Sequence, residues 1–140
     1  MNTATSPLLH TATAQPVARW PYWVVTGLLV AFIALGALLD VTHHPDALAG
    51  IEHLGYPVYF VRYIGVLKLL GVAALLLPGW PRLKEWAYAG LFFDTTGALY
   101  SAIANGDAPA TWLPAFLGIA LTLGSYFLYR RRAAATAPAR

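Results

Sequence analysis

Residues 65 to 71 read GVLKLLG, and residues 90 to 97 read GLFFDTTG. An ammonium at Lys68 and a carboxylate at Asp94 thus stand inside two apolar runs. The runs are joined by a short breaker-rich turn, PGWPRLKEW, at residues 78 to 86. In a tight antiparallel helix pair, residues equidistant from the turn sit at equal depth. The midpoint of 68 and 94 is 81, which is Pro81 in the turn itself. This spacing predicts that Lys68 and Asp94 face each other. Each alone would cost about 2.5–3.5 kcal/mol at the centre of a membrane helix. Lys68 is roughly 12 Å from either surface by helix rise, too deep for easy snorkelling. A shared interior position offsets much of that cost, although such a pair need not be net stabilising against apolar residues.

The neighbours of the pair favour an interior position. Gly65 and Gly71 lie within a turn of Lys68. Ala87, Gly90, Asp94, Gly97 and Ser101 follow an i, i+3, i+4, i+7 stripe of small and polar residues, a pattern that lets helices approach closely. Thr95, Thr96 and Tyr100 add hydroxyls near Asp94. Two chemistries fit. The pair can hold a ligand headgroup or a proton, or it can be a salt bridge that only locks helix register.

A second polar cluster lies in the segment DVTHHPDALAGIEHLGYPVY, residues 40 to 59. Asp40, His43, His44, Asp46, Glu52 and His53 are residue types that hold divalent metals. Adjacent His43 and His44 do not naturally converge on one ion, and the spacing matches no metal motif. The cluster is read as a solvated polar mouth with no metal assigned. Leu48, Ile51 and Leu54 recur at three-residue spacing, which predicts a short interfacial helix over 46–55. A loop folded over the bundle mouth is the alternative. In the turn at 78 to 86, Arg82, Lys84 and Glu85 beside Trp80 and Trp86 read as an interface anchor or a docking surface.

The elements that must carry these residues follow from composition. The chain has 140 residues, of which 59% are hydrophobic and 11% charged, against about a quarter charged in soluble domains. The mean hydropathy is +0.59. Four apolar stretches at about 20–40, 60–77, 84–104 and 110–129 approach the roughly 20 residues needed to cross hydrocarbon. The fold class expected is all-α: an integral membrane four-helix bundle of up-down topology, with residues 20–130 as the transmembrane domain. Residues 1–19 are expected to form a disordered tail and 131–140 a basic C-terminal tail. Arg19, Arg82, Lys84, Arg130, Arg131, Arg132 and Arg140 fall on one side of this arrangement, with Arg62 the exception. Asp40, Asp46, Glu52 and Asp107 fall on the other. The positive-inside rule places both termini in the cytoplasm. There is no cysteine, so disulfides and thiolate chemistry are excluded. Neither a phosphate-binding glycine loop nor a hydrolase motif is present, and no basic stripe suits nucleic acid.

The chain resembles the DoxX family, and more closely its DoxX-like branch, over about residues 22 to 130. The resemblance rests on HLGYPVYF (53–60), GVLKLLGVAALLLPGWPRLKEWAYAG (65–90) and FDTTGALYS (93–101). The histidine that often follows the serine of the last element is Ala102 here. The resemblance implies a four-helix protein of the bacterial inner membrane. It also implies a link to quinone-coupled oxidation, to membrane complexes handling oxidative stress, or to receptor assembly. The leading expectation is an accessory protein whose Lys68–Asp94 pair binds a lipid or quinone headgroup for a membrane redox complex, with no enzymatic activity of its own expected. The alternatives are a non-enzymatic assembly or scaffold protein and a minimal proton-coupled transporter; the partners expected are the lipid bilayer and a membrane redox complex or a second copy of the chain.

Overall fold

A computed structural model describes residues 20–136. Within them the chain is all helical: α1 Trp20–Val41, α2 Pro45–His53, α3 Val58–Leu76, α4 Pro81–Ala104, a 3-10 turn Pro109–Trp112, and α5 Leu113–Thr136. The segment expected as an N-terminal tail, 1–19, lies outside the described residues, as do 137–140. The bundle therefore has five α-helices rather than four, because the segment after α1 forms a helix of its own.

Among the described residues three segments are long and apolar enough to cross a membrane: α1, α3, and Pro109–Ala135, which takes in α5 as far as Ala135. At 24 residues α4 matches them in length, about 36 Å at 1.5 Å per residue. It does not match them in apolarity, because it carries Arg82, Lys84, Glu85 and Asp94.

The turns are set by residues that helices cannot use. Pro81 occupies the first turn of α4, where its missing N–H costs nothing. Gly79 ahead of it has φ +82°, a backbone region that is strained for any side chain. Gly55, at φ +80°, stops the chain after α2 in the same way. Pro45 starts α2, and the His44 ring accepts the Asp46 N–H at 3.4 Å as its cap.

The four long helices form a ring in the order α1, α3, α4, α5. Each packs on its two neighbours, and among the described residues the backbones of the diagonal pairs α1/α4 and α3/α5 do not approach one another. One end of the bundle holds the start of α1, the α3–α4 turn and the end of α5. We call it the turn end, and the opposite end, carrying α2 and the 3-10 turn, the loop end. The apolar core fills the half towards the turn end, where Leu29 and Ile33 meet Val72, Leu75, Tyr88 and Leu91. The other half is not filled in the same way, and that is where the polar residues gather.

Candidate functional site

Gly65 decides how α1 meets α3. A Cβ built on it would lie 2.7 Å from Asp40 Cβ, 2.9 Å from Val41 Cγ2 and 3.1 Å from the Ala37 carbonyl oxygen. The two backbones come so close that only glycine fits. This contact also sets depth. Asp40, one residue from the end of α1, is level with Gly65, seven residues into α3 (65 − 58). α1 thus stops about 10 Å short of the loop end of α3, and α2 occupies the space above it.

Lys68, one turn further along α3, reaches both neighbouring helices. Its Nζ donates to Asp40 Oδ2 at 3.0 Å and lies 3.7 Å from Asp94 Oδ2. The three side chains are only 21%, 13% and 17% exposed. The centre is therefore a triad. Asp40, grouped by sequence with the outer mouth, belongs with Lys68 instead. Fully ionised, two carboxylates and one ammonium sum to −1, a surplus negative charge in an apolar setting. The ammonium has three protons, so two carboxylates leave one for another acceptor.

A cavity of about 740 Å³ runs from this centre to the loop end. Lys68 and Asp94 line its deep end, with Phe32, Ile33 and Thr95 around them. Gly50, His53 and Leu54 of α2 and Asp107 of the following loop line its mouth. The helix expected in the interface is thus the lid of the cavity, so both readings of that segment contain part of the answer. The lid is fastened by His53 Nε2, 2.7 Å from Asp107 Oδ1, and Asn105 Nδ2 lies 3.0 Å from the same ring nitrogen. The hydrogen bond from His53 holds the Asp107 carboxyl below the usual carboxylate range. Tyr56 Oη and Ser101 Oγ, 2.9 Å apart, tie the start of α3 to α4 nearby.

The remaining candidates separate. Gly71 packs against Leu91, 3.3 Å from a built Cβ. Of the small-residue stripe on α4, Ala87 packs in the core and Ser101 meets Tyr56, whereas a Cβ on Gly90 or Gly97 would meet nothing within 4 Å. Thr95 turns its hydroxyl back to the Leu91 carbonyl at 2.9 Å, and Thr96 does the same to Phe92 at 2.7 Å, so neither donates to Asp94. Tyr100 is 73% exposed and does not line the cavity. His43 sits in the α1–α2 turn at φ +53°. His44 and Asp46 pair at 3.5 Å, and Glu52 is exposed. Among the described residues no three His, Asp or Glu side chains converge as metal ligands. Ala102 is buried on the cavity wall.

A second polar cluster carried no sequence signal. Ser125 of α5 lies 2.7 Å from the Thr26 hydroxyl of α1 and 2.8 Å from the Tyr88 hydroxyl of α4, all buried. Both clusters bridge the α1/α4 diagonal, one through Lys68 of α3 and the other through Ser125 of α5. Thr and Ser inside apolar runs are too common to single out, which is why the pattern was invisible.

A family model matches residues 24–125, its description being the DoxX-like family. The chain belongs to the DoxX-like family. Comparison with curated proteins and with solved structures returned no match. With its apolar helices, this DoxX-like protein is an integral membrane protein. The matched region takes in all three residues of the triad and the whole cavity, from Phe32 to Ala115.

Proposed function

We propose that this DoxX-like protein binds the polar headgroup of an apolar molecule, a quinone or a lipid, at Lys68 and Asp94, and acts as an accessory to a membrane redox complex. In this reading α4 is the fourth span and the protein sits in the bacterial inner membrane with both termini cytoplasmic. The observation that carries the proposal is the cavity. Its size is within the 300–1,000 Å³ usual for small-molecule sites. Its walls are chiefly apolar, and its deep end carries one cation and one carboxylate. A headgroup oxygen would accept the remaining Lys68 proton, and Asp94 would balance the charge and receive a headgroup hydroxyl. Asp40, behind Lys68, fixes the ammonium. A quinone, when bound, would supply the redox chemistry, since no cysteine is present.

Organic extraction of the purified protein, followed by mass spectrometry, tests this. A quinone or a single lipid species at one per chain, lost in Lys68→Leu, is the expected result. An empty bundle overturns it in favour of a scaffold. One observation favours that second reading: the charge of Lys68 is compensated by two carboxylates without any ligand, and the triad joins three helices.

A further inference from the structure

Between α3 and α4 the outer surface of the bundle carries a groove of about 560 Å³. Its lining and that of the cavity have two residues in common, Lys68 and Asp94. From that pair the cavity runs to the loop end, past Ala98 and Ala102 of α4. The groove runs the other way, along α4 from Asp94 back to Leu83. These 11 residues (94 − 83) span about 16 Å. Apart from the pair, every lining residue is aliphatic, aromatic or glycine, and Leu67, Leu70, Trp86 and Phe93 among them are exposed. Gly90 keeps the groove open. It stands inside α4 without a positive φ, and a Cβ on it would meet nothing within 4 Å. Neither backbone geometry nor close packing within the chain therefore calls for glycine, which a helix interior disfavours. With α4 as a span, the inner end of the groove sets an ammonium and a carboxylate against lipid tails, a costly arrangement that a polar headgroup would relieve.

We infer, taking the headgroup site proposed above as given, that its ligand enters sideways from the bilayer. The apolar chain lies in the α3–α4 groove, and an uncharged, oxygen-bearing headgroup meets Lys68 and Asp94 at the inner end. The groove is an apolar seat that ends on the pair, so chain and headgroup are matched along one path. The charge of the headgroup follows from the same geometry. A phospholipid arriving this way would carry its phosphate through hydrocarbon. The triad, with two carboxylates to one ammonium, has no surplus positive charge to receive it. A carbonyl oxygen needs only the remaining Lys68 proton, and a hydroxyl can donate to Asp94. A chain-bearing quinone and a diacylglycerol share this chemistry.

The test uses the full chain in phosphatidylcholine nanodiscs with three probes that carry a diazirine on the chain: a prenyl benzoquinone, a diacylglycerol and a phosphatidylglycerol. After irradiation, mass spectrometry maps the labelled residues. The uncharged probes should label the groove, at Leu70, Trp86 or Phe93, more than phosphatidylglycerol does, and the stronger of the two names the headgroup class. Gly90→Leu fills the groove without touching the pair. It should lower this labelling by about tenfold or more, the worth of two displaced methylene groups. Gly97→Leu, outside the groove lining, is the control and should leave it unchanged. Both glycines have open space at a built Cβ, and circular dichroism checks that the variants fold. The position of the label in wild type decides even without them. Labelling of Phe32, Leu39 or Leu54 instead, unaffected by Gly90→Leu, means entry through the mouth; it overturns sideways entry and leaves the headgroup site standing. Equal groove labelling by all three probes gives the groove to bulk lipid, and a dimer in native mass spectra that Gly90→Leu dissolves gives it to a second copy. Either overturns sideways entry as well. An empty wild-type bundle on organic extraction, by contrast, removes the headgroup site itself.

Discussion

Gly65→Ala puts the close contact of α1 with α3 to the test. The new methyl would stand 2.7 Å from Asp40 Cβ, whereas carbon atoms rest at about 3.5–4.0 Å, so α1 and α3 must part by about 0.8 Å or more. Neither obstacle yields easily: Asp40 Cβ is fixed to its helix and the Ala37 oxygen is backbone. If Lys68 does not follow, its 3.0 Å bond to Asp40 stretches to about 3.8 Å, beyond hydrogen-bond range. Overpacking of this kind costs about 1–3 kcal/mol. Gly97→Ala is the control, because a Cβ there meets nothing within 4 Å and alanine favours a helix by about 0.5–1 kcal/mol. The two substitutions are chemically identical and should act in opposite directions. Denaturant unfolding in micelles, followed by helical circular dichroism, measures both. Adding Val41→Ala to Gly65→Ala removes one of the three clashes and should restore part of the loss. If Gly65→Ala and Gly97→Ala agree within about 0.5 kcal/mol, the close approach of α1 and α3 is wrong, and with it the position of Asp40.

The same assay reads the triad. Lys68→Leu leaves two facing carboxylates without a cation and should cost about 3–5 kcal/mol; Asp40→Asn and Asp94→Asn should each cost less, and Asp94→Asn added to Lys68→Leu should recover part of the loss. Ser125→Ala removes the partner that the buried Thr26 and Tyr88 hydroxyls share and should cost about 1–3 kcal/mol, more than Tyr88→Phe, which leaves Ser125 bonded to Thr26. The lid latch should be acid-labile with a defined sign. Because the Asp107 carboxyl is held below its usual range, its contribution is present above about pH 3.9 and is lost as pH falls through the lowered folded value. Spin labels on α2 and on the α4–α5 loop should separate over that window in wild type, and the acid step should be missing in Asp107→Asn.

How much of the site the sequence reveals depends on the connections. The turn between α3 and α4 is short, so counting outwards from Pro81 carries Lys68 and Asp94 to the same level. The connection from α1 to α3 contains a helix and two turns, and counting across it fixes nothing. Asp40 therefore reads as the first residue of a loop, when it is one of the last of a helix that ends early. Gly65 was visible as a small residue beside Lys68, but not as the contact that brings α1 in. On α4 the stripe of small residues is divided, with Ala87 and Ser101 in contact with the bundle and the two glycines not. Gly90 and Gly97 have the right spacing for close packing, yet spacing alone does not say which face a neighbour occupies. Lys84 looked like an interface anchor because its sequence neighbours are charged and aromatic. It is buried where its side chain reaches the Leu75 carbonyl in the last turn of α3.

Lys68 and Asp94 belong to two spaces at once. Besides the cavity, they line a groove of about 560 Å³ between α3 and α4, bordered by Leu70, Trp86, Gly90 and Phe93 on the outer surface of the bundle. The partition between an interior reached from the loop end and a surface facing lipid tails is thus a single layer of side chains. A residue in such a partition has two solvents. The chain lacks cysteine altogether, so a thiol placed at position 94 would be unique. It would be open to a water-soluble reagent through the mouth and to a membrane-soluble one through the groove. The ratio of the two labelling rates would give the polarity of the divide directly, one face at a time.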